Sequence, residues 1–201
     1  MITRTTDRTA TTKLVRWWPL IAVLAMVALG IAVRRGSTPL DDWFLAMGRV
    51  HRQLYALLLF TNPWVLVLLL AGAGVVALYQ RRWRLAGAMV VTPLAAFAAV
   101  RLLKPLFDRE KEGALAYPSG HVTVTVVVLG MIVLAVGARV WLLVAVTAYA
   151  ILALLGQAFR FHYFTDTIGA IFLGTALVCL AAWAAGVDRC QPRCDVRHSN
   201  G

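Results

Sequence analysis

Two short motifs about forty residues apart contain the residue types of this chain that can do chemistry. The first, YPSGH, ends at His121, and the second, HYFTD, runs from His162 to Asp166. Each lies at the mouth of a long apolar segment, and Lys104 ends the apolar segment that precedes both. Because histidine, lysine and aspartate are costly near lipid, a cluster of them at one membrane depth predicts a functional site. The chemistry these residues indicate is transfer of a phosphoryl group through a histidine.

The first motif is typical of the start of a helix. Ser119 and Gly120 stand directly before an apolar run, and the free N–H groups of a first helical turn favour an anion. Gly120 permits close approach of the backbone, and His121 in that turn would reach the bound anion. The alternative is a helix cap with an incidental histidine.

The second motif places a carboxylate one helical turn from an imidazole. His162 and Asp166 are spaced i, i+4 and share one helix face. A carboxylate that accepts from one ring nitrogen leaves the other as an exposed nucleophile or base. Lys104 is a point charge for phosphate in this interpretation and a snorkelling residue in the alternative one. The combination of the four side chains at one end of a bundle carries more weight than either motif alone.

The composition indicates an integral membrane protein. The 201 residues are 61% hydrophobic, against about 45–50% in soluble domains, and the mean hydropathy is +0.76. Crossing a bilayer takes roughly 17–25 apolar residues. Six stretches reach or approach that length, at Trp17–Val33, Pro63–Tyr79, Leu85–Leu103, Val122–Val136, Val140–Phe159 and Thr167–Gly186. We therefore expect an all-α, polytopic bundle of six transmembrane helices.

The remaining segments complete this organisation. Residues 1–13 are expected to be a disordered cytoplasmic N-terminus, residues 14–187 the membrane domain, and residues 188–201 a cytoplasmic tail. Between the first two spans, Thr38–Phe60 alternates apolar and polar residues at near-helical spacing. This pattern predicts an amphipathic helix in the membrane interface, beginning at Ser37 or Thr38 with Pro39 next.

The net charge of +11 does not indicate a nucleic-acid partner, because the basic residues flank apolar spans and form no stripe with aromatic residues. With the N-terminus inside, eleven of the 20 Lys and Arg residues face the cytoplasm and nine face the other side. Setting aside Lys104, Lys111 and Arg160 as site residues leaves eleven against six. The bias predicts a multi-pass protein of the cell membrane whose site faces away from the cytoplasm.

The cysteines indicate no structural disulfide and no firm metal site. Cys190, Cys194 and His198 recur every four residues in the tail, but a tetrahedral zinc site needs a fourth ligand. We therefore predict no metal, and the oligomeric state stays open.

At the two motifs the chain resembles the type 2 phosphatidic acid phosphatase and vanadium haloperoxidase superfamily. The pattern of that superfamily is Lys-x6-Arg-Pro, then Pro-Ser-Gly-His, then Ser-Arg-x5-His-x3-Asp. The middle block is complete at residues 118–121, His162 and Asp166 end the third block, and Lys104 opens the first. The resemblance covers about residues 85–185 and implies six helices with an extracytoplasmic site.

The chain differs from that pattern at two places, and at both it lacks an arginine that binds phosphate in the superfamily. Lys111 and Glu112 stand where the pattern has Arg-Pro, and Leu155 and Gly156 stand where it has Ser-Arg. Arg160 is one turn after Gly156, about 5.4 Å along a helix axis. Since helical side chains lean toward the N-terminus, we hypothesise that Arg160 reaches the space at Gly156 and replaces the guanidinium, with Lys111 a weaker substitute. The alternative is an Arg160 that snorkels to the headgroups.

The resemblance also implies a mechanism without metal or other cofactors. His162 would attack phosphorus and form a phosphohistidine, Asp166 would orient it, and His121 would protonate the departing oxygen. The equatorial phosphate oxygens would be held by the side chains of Lys104, Lys111 and Arg160 and by the N–H groups at Ser119 and Gly120.

The implied function is a membrane phosphatase acting on a lipid phosphate or diphosphate. A polyprenyl phosphate or diphosphate, phosphatidic acid and phosphatidylglycerophosphate are candidate substrates. One alternative is a non-catalytic relative that binds anionic lipid or a partner protein, which the missing arginines motivate. A transporter is a further alternative, although charged residues are absent from the middle of the spans.

Overall fold

A computed structural model describes residues 3–187 of the chain, with side chains from Trp17 onward. Helices account for most of this part, which confirms the all-α prediction. In chain order the elements are α1 (Thr3–Ala32), α2 (Pro39–Val50), a 3₁₀ helix (Arg52–Thr61), α3 (Pro63–Tyr79), α4 (Trp83–Phe107), β1 (Glu110–Lys111), β2 (Ala114–Leu115), α5 (Gly120–Val136), α6 (Val140–Arg160) and α7 (Phe164–Ala185).

Four apolar helical stretches are long enough to cross a membrane. They are Arg52–Tyr79, which joins the 3₁₀ helix to α3, and the helices α4, α6 and α7. Two shorter apolar helices, Trp17–Ala32 and Gly120–Val136, coincide with predicted spans but fall below that length. These lengths and compositions support a membrane protein.

The segment between the first two spans forms two helices instead of one. Thr38 caps α2, with its side chain accepting from the Asp41 N–H and its own N–H donating to the Asp41 carboxylate. Of the two predicted starts, Ser37 and Thr38, the structure has Thr38 as the N-cap and Pro39 as the first helical residue. The regular α-helix ends at Val50, and the chain continues as the 3₁₀ helix.

Helix α7 lies at the centre of the packing and contacts α1, α4, α5 and α6. Small residues permit these contacts, because a Cβ at Gly174 would lie 2.8 Å from the side chain of Val126 on α5. The backbone N–H of Ser119, just before α5, donates to the Asp166 carbonyl of α7 at 3.2 Å. The first turns of α5 and α7 are thereby held side by side.

The structure describes most of the predicted N-terminal segment and none of the predicted C-terminal tail. Helix α1 begins at Thr3, so the backbone of residues 3–13, which the sequence predicts to be disordered, is helical here. The predicted tail at 188–201, with Cys190, Cys194 and His198, lies outside the described residues.

Candidate active site

A cavity of about 540 Å³ lies between α3, α4 and α5. Most of its wall is apolar, and the polar groups gather at the end formed by the close of α4, the start of α5 and the α6–α7 connection. The polar and glycine lining consists of Thr61, Arg101, Lys104, Gly120, His121 and His162. The apolar lining consists of Pro63, Leu66, Val67, Leu70, Pro93, Phe97, Val100, Val124 and Val128. The cavity therefore has the polarity of an amphiphile, with one polar end and one apolar end.

Three predicted site residues meet at the polar end of this cavity. Lys104 lies in the last turn of α4, and its Nζ donates to the Leu115 carbonyl at 2.5 Å. His121 is the second residue of α5, and His162 enters from the connection between α6 and α7. The two imidazoles, which are 41 positions apart in the chain, thus face one space.

The position of His162 is set by the end of α6 and by Asp166. Its backbone N–H donates to the Gln157 carbonyl at 2.9 Å. Its Nδ1 is 3.6 Å from Asp166 Oδ2, which is longer than a hydrogen bond, and this buried nitrogen has no hydrogen-bond partner among the described residues. Because Nδ1 faces the carboxylate, Nε2 lies on the opposite side of the ring. The predicted pairing is therefore present as a close approach of Nδ1 to the carboxylate rather than as a hydrogen bond.

Asp166 is fully buried and makes its shortest contact with Arg109, a residue that the motifs did not indicate. Arg109 Nη1 is 2.5 Å from Asp166 Oδ1, and the Tyr163 N–H donates to Oδ2 at 3.0 Å. Arg109 is itself only 1% exposed, and its guanidinium lies 4.3 Å from the ring centre of Tyr163. One carboxylate thus faces both the guanidinium and the imidazole of His162.

Asp41 is a second buried carboxylate on the same guanidinium. Arg109 Nη2 lies 3.0 Å from Asp41 Oδ2 and also donates to the Gly36 carbonyl at 2.8 Å. Asp41 belongs to the segment Thr38–Phe60, for which the sequence predicts an amphipathic helix in the membrane interface, and the structure buries its side chain completely. Burial alone would raise the pKa of Asp41, but hydrogen bonds from Thr165 and Thr38 outweigh it and lower the pKa below its ordinary value.

Two predicted phosphate ligands, Lys111 and Arg160, lie outside the cavity wall. Lys111 Nζ donates to the Arg160 carbonyl at 3.2 Å, and burial lowers the pKa of Lys111, with Glu112 and Asp166 opposing the shift. The Arg160 guanidinium is exposed and lies 5.2 Å from the ring centre of Tyr55. Neither side chain lines the space between the two histidines.

The argument that Arg160 fills a vacant space at Gly156 is wrong. A Cβ added at Gly156 would lie 2.7 Å from the carbonyl carbon of Leu57. The backbone of the 3₁₀ helix already occupies this space, and Gly156 is the residue that permits its approach.

The start of α5 offers fewer free donors than the sequence indicated. The Ser119 N–H is bonded to Asp166, and the Ser119 Oγ is buried without a partner among the described residues. Gly120 does line the cavity, as does Arg101, one turn before Lys104 on α4. Arg101 was missed because no motif contains it, although a cation inside an apolar span, here two residues before its predicted end at Leu103, is itself a signal.

The structure is thus an all-α protein with four helical stretches long and apolar enough to cross a membrane, and two imidazoles and two cations line its cavity. Comparison with known proteins adds no identification, because no family model, curated protein or solved structure matches this chain.

Proposed function

We propose that the chain is a membrane phosphatase that hydrolyses a lipid phosphate or diphosphate through a phosphohistidine. The observation that carries this proposal is the meeting of His121, His162 and Lys104 at the polar end of one otherwise apolar cavity. Two imidazoles beside a cation provide a nucleophile, an acid and a phosphate ligand in one place.

In the first step His162 Nε2 attacks phosphorus, a P–N bond forms, and the P–O bond to the leaving group breaks. The imidazolium of His121 gives its proton to the departing oxygen. His162 becomes positively charged, and the buried carboxylate of Asp166, 3.6 Å from Nδ1, stabilises that charge.

In the second step water attacks the phosphohistidine. Neutral His121 takes a proton from the water, the P–N bond breaks, and inorganic phosphate leaves. Lys104 and Arg101, both lining the cavity, neutralise the negative charge of the equatorial oxygens in both steps.

The apolar wall favours a substrate with a hydrocarbon tail. From Gly120 to Val128, eight steps of ~1.5 Å each give a length of about 12 Å along α5. A phosphate held at the polar end would leave its tail against the apolar wall. A polyprenyl phosphate or diphosphate, phosphatidic acid and phosphatidylglycerophosphate all have this form.

The proposal includes the membrane arrangement. Six helices cross the cell membrane, α2 lies in the interface, and the site opens on the extracytoplasmic side. The distribution of Lys and Arg along the chain supports this orientation.

A panel of lipid phosphates tests the function. Purified wild type is expected to release phosphate from at least one of them, and His162→Ala and His121→Ala are expected to lose at least about 100-fold in kcat, which general acid–base and nucleophilic roles imply. His51→Ala is the matched control, because His51 lies outside the cavity wall. No release by wild type, or equal release by the His162 variant, would contradict the proposal.

A second candidate is a non-catalytic protein that binds anionic lipid. The engagement of Asp166 with Arg109, together with the 3.6 Å separation from His162, favours it. Binding of a lipid phosphate without phosphate release, and without a phosphohistidine trapped by denaturation in alkali, distinguishes this candidate from the enzyme.

A further inference from the structure

The buried charges behind His162 do not cancel. Asp41 and Asp166 are each 0% exposed, and Arg109 between them is 1% exposed. Among the fully buried groups, two carboxylates and one guanidinium leave one negative charge, next to the imidazole of His162. Lys104 and Lys111, which are only half-buried, also act electrostatically on Asp166. Buried charges are normally paired, so the unpaired negative charge beside His162 needs a physical explanation.

The pairing of Arg109 with Asp166 alone would be neutral. Arg109 Nη1 lies 2.5 Å from Asp166 Oδ1, and a neutral pair has little field with which to stabilise a positive ring. Arg109 Nη2 lies 3.0 Å from Asp41 Oδ2. The negative charge of Asp41 therefore offsets the positive charge of the guanidinium. The negative charge of Asp166 then remains available to stabilise a positively charged His162.

Asp41 is also held in place from two sides. The Thr165 N–H donates to Oδ1 at 2.9 Å, and the Thr165 hydroxyl lies 3.0 Å from both carboxylate oxygens. From its own helix, Thr38 donates its N–H to Oδ2 at 2.9 Å. These bonds favour the charged form of Asp41 and connect α2 to the first turn of α7.

We propose that Asp41 is a positioning residue that, through Arg109, keeps a net negative charge behind His162 when that ring becomes positive during phosphoryl transfer. The inference rests on the proposed function. It assigns a role in turnover to α2, an element outside all three sequence motifs.

The first variant is Asp41→Asn, which keeps the shape and removes the charge. We expect kcat to fall about tenfold with KM changed less than twofold, because the charge acts only when the ring is cationic. Trapped phosphohistidine is expected to fall in parallel. Asp42→Asn is the matched control, since Asp42 is the next residue of the same helix and is exposed, and its kcat should stay within about twofold of wild type.

The decisive variant is the double substitution Asp41→Asn with Arg109→Met. It removes one negative and one positive charge, so Asp166 again supplies a net negative charge. We expect its kcat to exceed that of Asp41→Asn by at least about threefold. A network that only holds α2 against α7 predicts the opposite, because each substitution removes further hydrogen bonds.

The outcomes separate this inference from the proposed function. Wild type without His162-dependent phosphate release overturns the function. If wild type is active, two results overturn the inference alone. One is an Asp41→Asn kcat within about twofold of wild type, and the other is a double variant whose kcat is lower than that of Asp41→Asn. If Asp41→Asn is not recovered folded, the double variant decides: kcat within about tenfold of wild type supports the inference, and a lower value overturns it.

Discussion

Arg109 and Asp166 form a buried ion pair that joins the loop after α4 to the first turn of α7, with Nη1 2.5 Å from Oδ1. The same guanidinium contacts Asp41 of α2. Three segments far apart in the chain thus meet at one charged group behind the candidate nucleophile.

Replacing Arg109 is expected to destabilise the protein strongly. Arg109→Met leaves Asp41 and Asp166 buried without their cation, and removing one partner of a buried pair costs about 3–5 kcal/mol. Thermal unfolding of the purified protein in detergent measures the loss. Arg49→Met, at an exposed position of α2, is the control and should change stability by less than about 0.5 kcal/mol. Equal melting temperatures for the two variants would contradict the buried pair.

Gly156 and Gly72 provide a matched pair of helical glycines. A Cβ at Gly156 would lie 2.7 Å from the Leu57 carbonyl carbon, whereas one at Gly72 meets nothing within 4 Å. We expect Gly156→Ala to destabilise by about 1–3 kcal/mol through overpacking, and Gly72→Ala to be neutral or stabilising by up to about 1 kcal/mol. Thermal unfolding of both variants checks the difference. A stable Gly156→Ala protein would mean that the 3₁₀ helix does not approach α6 so closely.

Acid is expected to weaken the contact between α2 and α7. The pKa of Asp41 lies below its ordinary value of 3.8, so the charged group contributes stability above pH 3.8 and loses this contribution as the pH falls through the folded-state pKa. One such group changes the free energy of unfolding by at most about 1.4 kcal/mol per pH unit. Melting temperatures recorded from pH 5 to pH 3 should fall less steeply for Asp41→Asn than for wild type. Parallel curves would show that Asp41 adds nothing to the acid sensitivity.

The sequence predicted the helices well because long apolar runs leave the backbone few other choices in a membrane. The predicted bounds Pro63–Tyr79 coincide with α3, and the predicted end of the α5 run at Val136 matches the helix. The break at His51 was missed, because amphipathic spacing does not distinguish one α-helix from an α-helix followed by a 3₁₀ helix.

The candidate site was predictable only in part. The motifs indicated His121, His162, Gly120 and Lys104, and all four line one cavity. Asp41 could not be found, because a capping aspartate on an amphipathic helix is ordinarily exposed, and only tertiary packing against Thr165 buries it. Arg109 lies in a charged loop, where spacing gives no indication of which basic side chain turns inward.

Substitutions of Lys104 and Lys111 compare a cation that lines the cavity with a nearby cation that does not. Lys104 lines the cavity, whereas Lys111 lies outside its wall and contacts the Arg160 carbonyl. On the proposed function, Lys104→Met is expected to lower kcat/KM at least about tenfold, equivalent to ~1.4 kcal/mol of transition-state stabilisation, because it removes a charge that faces the phosphate. Lys111→Met removes the same charge at greater distance and should lower it by less than about threefold. Phosphate release from one lipid phosphate, measured for both variants at equal protein, makes the comparison. A larger loss for Lys111→Met would place the phosphate outside this cavity, nearer the loop, as the spacing of the superfamily pattern implies.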